Sequence, residues 1–228
     1  MRLSHLAVPL AALALSTASL SAQTRIVGRV DGSQYISPTG AYRITIPVLP
    51  ELGGRIVDTP EVVTFEDDFN VHASLACFKM DATQRWEHET RGRRDYLIWF
   101  FTNFVQRDFQ ARFPESRVES AKFIPGMEDG TLLTCNLLPD GTMFANRPSF
   151  SATGEVFVAK RGNVLFVRDG HVYVLSMELA ERALERRTYS KTTEEEDELL
   201  RRRLLELYGR ITFTSTPAPA PVSAPPAP

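Results

Sequence analysis

The segment DYLIWFFTNFVQRDFQARF, residues 95–113, decides the fold class of this chain of 228 residues. Its apolar side chains recur at the spacing of one helix face, and Pro114 ends the pattern. The stripe consists of Ile98, Phe101, Val105 and Phe109, widened by Leu97, Phe100 and Phe104. A helix with this many aromatic side chains packs against a broad apolar surface. The segment therefore predicts an amphipathic helix that lies across a β-sheet.

Two strand hairpins are predicted before this helix. Residues 35–47 read YISPTGAYRITIP, in which Ser-Pro-Thr-Gly is turn chemistry and the following residues alternate between apolar and polar. Residues 62–65 and 71–80 form the second hairpin. Alternation there places four side chains on one face of the strand, namely Val71, Ala73, Leu75 and Cys77.

Further strands and two helices are predicted after Pro114. The strands are expected at residues 131–138, 155–160, 164–167 and 171–175, with turns at 139–141, 161–163 and 168–170. The helices are expected at Met177–Arg187 and Thr193–Tyr208, the second opened by a Thr193–Glu196 capping box. The predicted fold class is α+β, with an antiparallel sheet sandwiched between helices.

Residues 1–24 read MRLSHLAVPLAALALSTASLSAQT and have the three parts of a secretory signal peptide. Arg2 gives a basic start, Leu6–Leu15 is an apolar run, and Ser16–Ala22 is small and polar. The run is about half the length of a membrane-spanning helix, which needs roughly 20 residues. We therefore expect cleavage near Ala22 and export to the periplasm or the medium.

The remaining chain is expected to form one domain, residues 23–214, and a Pro/Ala-rich disordered tail, residues 215–228. The tail contains PAPAPVSAPPAP, which has little apolar surface to bury and few backbone donors. A formal net charge of −2 gives no general attraction for nucleic acid. No transmembrane segment is expected in the mature chain, because no later stretch is sufficiently apolar.

Familiar catalytic and cofactor motifs are absent from the sequence. It has no G-x-S-x-G, G-x-G-x-x-G, P-loop, H-E-x-x-H or C-x-x-C pattern. We therefore expect no catalytic residue, no cofactor and no metal site. A polar cluster at Asp67, Asp68, Asn70 and His72 has oxygens that calcium could use, but its spacing is that of an ordinary hairpin turn.

Residues 81–94, DATQRWEHETRGRR, are interpreted as a loop and as the candidate binding surface. The candidate residues are Trp86, His88, Arg91, Arg93 and Arg94. Tryptophan and arginine are common at binding hot spots, and clustered arginines suit a phosphate, a carboxylate or an acidic glycan. The alternative is structural: Trp86 covers the edge of the core and the arginines pair with nearby carboxylates.

Two cysteines, Cys77 and Cys135, lie in the interiors of predicted strands. An oxidising compartment would allow them to form a disulfide if these strands are neighbours. Two buried free thiols are the equal alternative, because two cysteines give no spacing pattern to test.

The element order resembles that of PsbP-like proteins. The resemblance rests on the hairpin at 35–47, the strand and turn at 63–68, the aromatic helix, the late hairpin and a final helix running into the strand YGRITF at 208–213. It covers residues 30–214, and the two helices near the end depart from it. It implies an α/β/α sandwich and a group whose members are mostly binding or assembly proteins, extrinsic photosystem subunits among them. No functional residue carries over.

Two classes of function follow from the sequence. The favoured class is a non-enzymatic binding or assembly protein of the bacterial envelope, whose partner is an envelope or secreted protein or a small ligand. The alternative is an exported hydrolase-type enzyme whose site is assembled from scattered residues, with His88 and the Arg91–Arg94 cluster at its edge.

Overall fold

Two antiparallel sheets organise the protein. The structure, a computed structural model, describes residues 26–69, 71–139, 141–143, 158–184 and 189–214. The small sheet has the order β1-β2-β3-β11, and the large sheet has the order β4-β5-β6-β10-β9-β8-β7. The strands are β1 (Arg29–Asp31), β2 (Gln34–Ile36), β3 (Tyr42–Thr45), β4 (Arg55–Asp58), β5 (Val62–Glu66), β6 (His72–Lys79), β7 (Arg117–Ile124), β8 (Thr131–Pro139), β9 (Val158–Arg168), β10 (His171–Glu178) and β11 (Ile211–Phe213).

Both early hairpins form as predicted. β2 pairs with β3, and Gly40 takes a positive φ of 72° in the turn between them. β5 pairs with β6, and the buried core on one side of β6 contains Ala73, Leu75 and Cys77. The predicted α+β class, with antiparallel strands under helices, is confirmed.

One face of the large sheet is covered by helices. They are α1 (Ala82–Arg91), α2 (Arg93–Phe100), a π-helical segment (Phe101–Val105) and α3 (Gln106–Arg112). Leu97, Phe100 and Phe101 are buried against the sheet, as predicted. Ile98 and Phe104, which the predicted stripe also included, are 41% and 45% exposed. Tyr96 and Leu97 of α2 face the sheet, and the π-helical segment that follows has a wider turn. The wider turn changes which later residues face the sheet, so that the regular helical spacing no longer predicts them.

The other face of the large sheet is covered by the small sheet and the C-terminal helix α5 (Thr193–Gly209). A short helix, α4 (Ala180–Leu184), follows β10, and its Ala180 packs with Phe109 of α3. A buried ion cluster fastens α5 to β9. The Lys160 ammonium is fully buried and lies within ion-pair distance of Glu119, Glu196 and Asp197. Burial alone would lower the pKa of Lys160, but its hydrogen bonds to these carboxylates outweigh burial and raise it.

Four predicted boundaries are wrong. Residues 161–163, interpreted as a turn, lie inside the continuous strand β9. Residues 82–91, interpreted as loop, form α1, because Asp81 caps the helix and Gln84 completes a capping box. Met177 and Glu178 end β10, so that the following helix begins only at Ala180. The N-cap of α5 is Thr192 with Glu195, one residue before the predicted pair.

The two cysteines are free and buried in the structure. Cys77 lies on β6 and Cys135 on β8, and β10 and β9 lie between those strands. Three strand spacings place the cysteines at least about 14 Å apart across the sheet, and Cys135 is also four residues away from the register position of Cys77, whereas a disulfide needs Cα atoms within about 7 Å. In the structure the two cysteines are therefore buried free thiols. Burial raises the pKa of Cys77 to about 11 and that of Cys135 to about 12.

Candidate ligand-binding cavity

The predicted binding residues lie on and around α1 and separate into two groups. Trp86 is 60% exposed, and Arg94 is also exposed. These two side chains are therefore accessible to a partner. For Trp86 this departs from the structural alternative, in which it would cover the edge of the core.

The other three predicted residues have structural contacts. Arg91 pairs with Glu87 and lies over the ring of Trp99, at 5.6 Å from its centroid. His88 packs edge-on against Tyr96. Arg93 donates hydrogen bonds to the backbone carbonyls of Glu128 and Val167 and so ties α2 to the sheet. The structure therefore does not bring the five residues together as one free cationic surface.

A cavity of about 500 Å³ lies between the π-helical segment, α3 and the large sheet. This volume is typical of small-molecule sites. Its sheet wall comes from strands β5, β6, β9 and β10 and consists of Val62, Ser74, Ala76, Phe78, Arg161, Val174 and Ser176. Its helix wall consists of Phe104, Val105, Asp108, Phe109 and Arg112.

Strand register divides the sheet wall into an apolar part and a polar part. Ala76 on β6 pairs with Val174 on β10, which gives an apolar row across the two strands. Two residues along, Ser74 pairs with Ser176, and Ser176 pairs with Asn163 on β9. Because side chains on one face of a strand recur at every second residue, the polar row lies directly beside the apolar one.

Arg161 lies at the polar end of the cavity. Its side chain is 2% exposed, and its guanidinium is 5.9 Å from the ring centroid of Phe109 on the helix wall. Nη2 donates to Ser74 Oγ at 2.9 Å, and Nη1 donates to His72 Nδ1 at 3.1 Å. Nε is buried and has no hydrogen-bond acceptor among the described residues. A buried donor without an acceptor lowers the stability of the folded protein. A ligand that supplied the acceptor would remove this cost.

The charge of Arg161 is also not neutralised by an adjacent carboxylate. No described Asp or Glu lies within 4 Å of its guanidinium, although Glu178 is its cross-strand neighbour on β10. The carboxylate of Glu178 instead accepts hydrogen bonds from Thr142 and from the backbone amide of Met143. Burial lowers the pKa of Arg161 to about 10, so that it stays protonated at neutral pH.

A chain of amide and hydroxyl side chains holds the polar row in place. Ser176 donates to Asn163 at 2.7 Å, and Asn163 donates to Thr134 and Asn136 on β8. Asn136 continues the chain to Gln106 on α3. Buried polar groups of this kind are tolerated only when they are hydrogen-bonded, and a satisfied network fixes their positions.

The helix wall is shaped by the π-helical segment Phe101–Val105. Phe104 and Val105, in this segment, line the cavity, and Asp108 and Arg112 follow one and two turns later. π-helical turns inside α-helices are rare and frequently occur at functional sites. Here the π-helical segment is the part of the helix layer that borders the apolar end of the cavity.

Sequence reasoning missed this site because its central residues were assigned to a turn. The stretch Lys160-Arg161-Gly162-Asn163 has turn composition, but Arg161 hydrogen-bonds Ser74 on β6, two strands away, and Asn163 hydrogen-bonds Asn136 on the adjacent β8. Gly162 serves close packing instead, since a Cβ there would lie 2.9 Å from Leu204 Cδ1 of α5. Serines within the apolar strands at 74 and 176 were the other available signal.

The described serines of the cavity hydrogen-bond arginine and asparagine side chains. Ser74 accepts a hydrogen bond from Arg161, and Ser176 donates one to Asn163. Burial and the charge of Arg161 lower the pKa of His72 to about 3, so that His72 is neutral and has a cation beside it. Within the described residues, neither serine hydrogen-bonds a histidine that could take up its proton.

No cluster of three or more potential metal ligands occurs in the described part of the chain. The carboxylate of Asp67, from the polar hairpin cluster, accepts hydrogen bonds from the backbone amides of Phe69 and Val71. Asn70 of that cluster lies outside the described residues. None of the described helices is long and apolar enough to cross a bilayer.

Comparison with solved structures shows a loose likeness to PsbP-like folds. The chain is similar to cyanobacterial PsbP (CyanoP) from Synechocystis sp. PCC 6803, with a TM-score of 0.48, 11% identity, and coverage of 82% of this chain and 99% of the other. It is also similar to the Ran-binding protein Mog1p from Saccharomyces cerevisiae, with a TM-score of 0.45, 7% identity, and coverage of 79% and 94%. The predicted resemblance is confirmed at this loose level. No family model and no curated protein matches the sequence.

Proposed function

We propose that the protein is an exported, non-enzymatic binding protein whose cavity between the helix layer and the large sheet takes up a small molecule. The observation that carries this proposal is the buried side chain of Arg161, which lines a cavity of about 500 Å³ and whose Nε has no acceptor in the described part of the chain. A cavity with a long apolar wall and a few fixed polar groups is the usual form of a ligand site.

The cavity is preorganised, which favours binding. Its apolar residues lie on strands in continuous register, and its polar residues are held by the network through Asn163. Groups that are already in place lose little conformational freedom when a ligand arrives.

Binding is tested with the neutral fluorescent probe N-phenyl-1-naphthylamine, which emits strongly only in apolar surroundings. We expect saturable binding to the mature protein. Ala76→Leu adds a branched side chain to the apolar row that lines the cavity, and it should weaken probe binding at least about tenfold.

The matched control is Trp86→Ala, which removes the exposed aromatic ring on α1 and leaves the cavity intact. Its probe affinity should equal that of the unmodified protein. The proposal is wrong if the probe does not bind, or if Trp86→Ala abolishes binding while Ala76→Leu has no effect.

Export rests on the N-terminal pattern of residues 1–24. N-terminal sequencing of the protein from a bacterial periplasm or culture medium should find a chain that begins near residue 23. A chain that retains Met1 in the membrane fraction would contradict export.

A further inference from the structure

We infer that the ligand of this cavity is an amphiphilic anion, with a single carboxylate head bound at Arg161 and an apolar body lying along Ala76, Val174 and Phe104. This inference rests on the proposed function and specifies its ligand class.

The cavity is divided along its length into an apolar part and a polar part. The apolar row through Ala76 and Val174 lies beside the polar row through Ser74 and Ser176, and Arg161 lies beyond the second row on β9. A ligand that fills the space therefore meets hydrocarbon at one end and hydroxyl and guanidinium groups at the other. Only a molecule with the same division of polarity matches both ends.

The charged side chains that line the cavity are mostly cationic. The cavity is lined by two cations, Arg161 and Arg112, and by one carboxylate, Asp108. Glu178, the cross-strand neighbour of Arg161, is occupied with Thr142 and Met143, and burial raises its pKa. Glu178 still attracts the charge of Arg161, but no described carboxylate lies within ion-pair distance of the fully buried guanidinium, and an anionic head would supply that contact.

The polar end of the cavity has unused hydrogen-bonding capacity. Nε of Arg161 is a donor that has no acceptor among the described residues. Ser74 accepts from Arg161 and keeps its own hydrogen to donate, whereas Ser176 donates to Asn163 and can still accept. A guanidinium edge and a carboxylate have matching forked geometry, and such pairs are the strongest charge-assisted hydrogen bonds. A head with a single negative charge suits one buried cation, because a second charge would be left desolvated without a partner.

The experiment displaces N-phenyl-1-naphthylamine with three ten-carbon molecules at neutral pH: decanoate, 1-decanol and decylammonium. They share one hydrocarbon body and differ in head charge. Decanoate should displace the probe at a concentration at least about tenfold lower than decanol, and decylammonium should be the weakest.

Arg161→Met keeps a long side chain and removes the charge and the donors. It should bind the neutral probe, and decanoate and decanol should then displace the probe equally. Arg94→Met, on the exposed surface, is the matched control and should keep the full preference for decanoate. If Arg161→Met does not melt cooperatively, Arg161→Gln gives the same comparison with a polar side chain.

The outcomes separate the two proposals. If the probe binds but decanoate and decanol displace it equally in the unmodified protein, the anion inference is wrong and the ligand site stands. The inference is also wrong if Arg161→Met retains the preference for decanoate. If the probe fails to bind at all, the proposed function itself fails.

Discussion

Arg161 is a buried charge that has no ion-pair partner within 4 Å among the described residues. The guanidinium hydrogen-bonds Ser74 and His72, both uncharged, and Nε has no described acceptor. Such a charge lowers the stability of the unliganded protein, since it gives up hydration without gaining an ion pair. Binding sites commonly contain such a group, because a side chain that stabilises the bound ligand lowers the stability of the unliganded protein.

Arg161→Met should therefore stabilise the unliganded protein. We expect its free energy of unfolding to rise by about 1 kcal/mol, because methionine fills similar space without a buried charge. Urea denaturation monitored by circular dichroism measures this difference. Arg94→Met, which removes an exposed charge, should change the free energy of unfolding by less than about 0.5 kcal/mol. A large loss of stability in Arg161→Met would show that the guanidinium is structural.

His72 should make stability depend on pH. Burial first, and then the charges of Arg161 and Arg112, lower its pKa from 6.5 to about 3. Glu66 lies 3.7 Å from Nε2, too far for a hydrogen bond that would offset them. Below pH 6.5 the unfolded chain binds a proton at His72 and the folded chain does not. The contribution of His72 to the free energy of unfolding is therefore complete above pH 6.5 and decreases as the pH is lowered below that value.

Between pH 7 and pH 5 this effect amounts to about 2 kcal/mol. His72→Gln cannot take up the proton and keeps a hydrogen-bond acceptor. Its free energy of unfolding should therefore fall by about 2 kcal/mol less than that of the unmodified protein over this range. Urea denaturation at the two pH values gives both numbers. Equal losses in the two proteins would mean that His72 is protonated in the folded state.

At the scale of elements, β9 is the decisive strand. It carries Lys160 and Arg161 in its interior, with Gly162 between Arg161 and Asn163. A Cβ at Gly162 would lie 2.9 Å from Leu204 Cδ1 and 3.2 Å from Leu200 Cβ, both on α5. The glycine thus sets how closely α5 approaches the sheet.

Gly162→Ala should lower the free energy of unfolding by about 1–3 kcal/mol, because the added methyl group overpacks this contact. Gly126→Ala is the matched control. A Cβ at Gly126 meets nothing within 4 Å, and its φ is not positive, so that its effect should be near zero. Thermal melts of both variants make the comparison. Equal stability of Gly162→Ala and the unmodified protein would show that α5 can move away.

These elements also show how far sequence reasoning extends. The hairpin at 35–47 and the helix at 95–113 were predictable, because their periodicity arises from local geometry and from burial on one face. The strand β9 was not, since the preference of Gly162 and Asn163 for turns was overridden by contacts with α5 and β8 that are distant in sequence. The cavity could not be predicted for the same reason: its walls meet only after the strands have paired.

At the scale of the whole molecule, the large sheet separates two layers with different chemistry. On one side, α5 and the small sheet pack on an apolar core that includes Tyr35, Phe65 and Leu204. On the other side, helices α1 to α3 cover an apolar zone around Leu97 and Phe100 and leave the cavity beside it. The fold class followed from the sequence, whereas this asymmetry between the faces did not.

Lys160 and Arg161 are consecutive residues of β9 with side chains on opposite faces of the sheet, so that their functions can be changed separately. Three carboxylates neutralise Lys160 on the α5 face, whereas Arg161 faces the cavity with no carboxylate of the described segments within ion-pair distance. Neighbouring residues of a strand point to opposite faces, so that neither charge depends on the partners of the other. A substitution at Arg161 that alters the ligand preference should therefore leave the ion cluster that holds α5 to β9 intact.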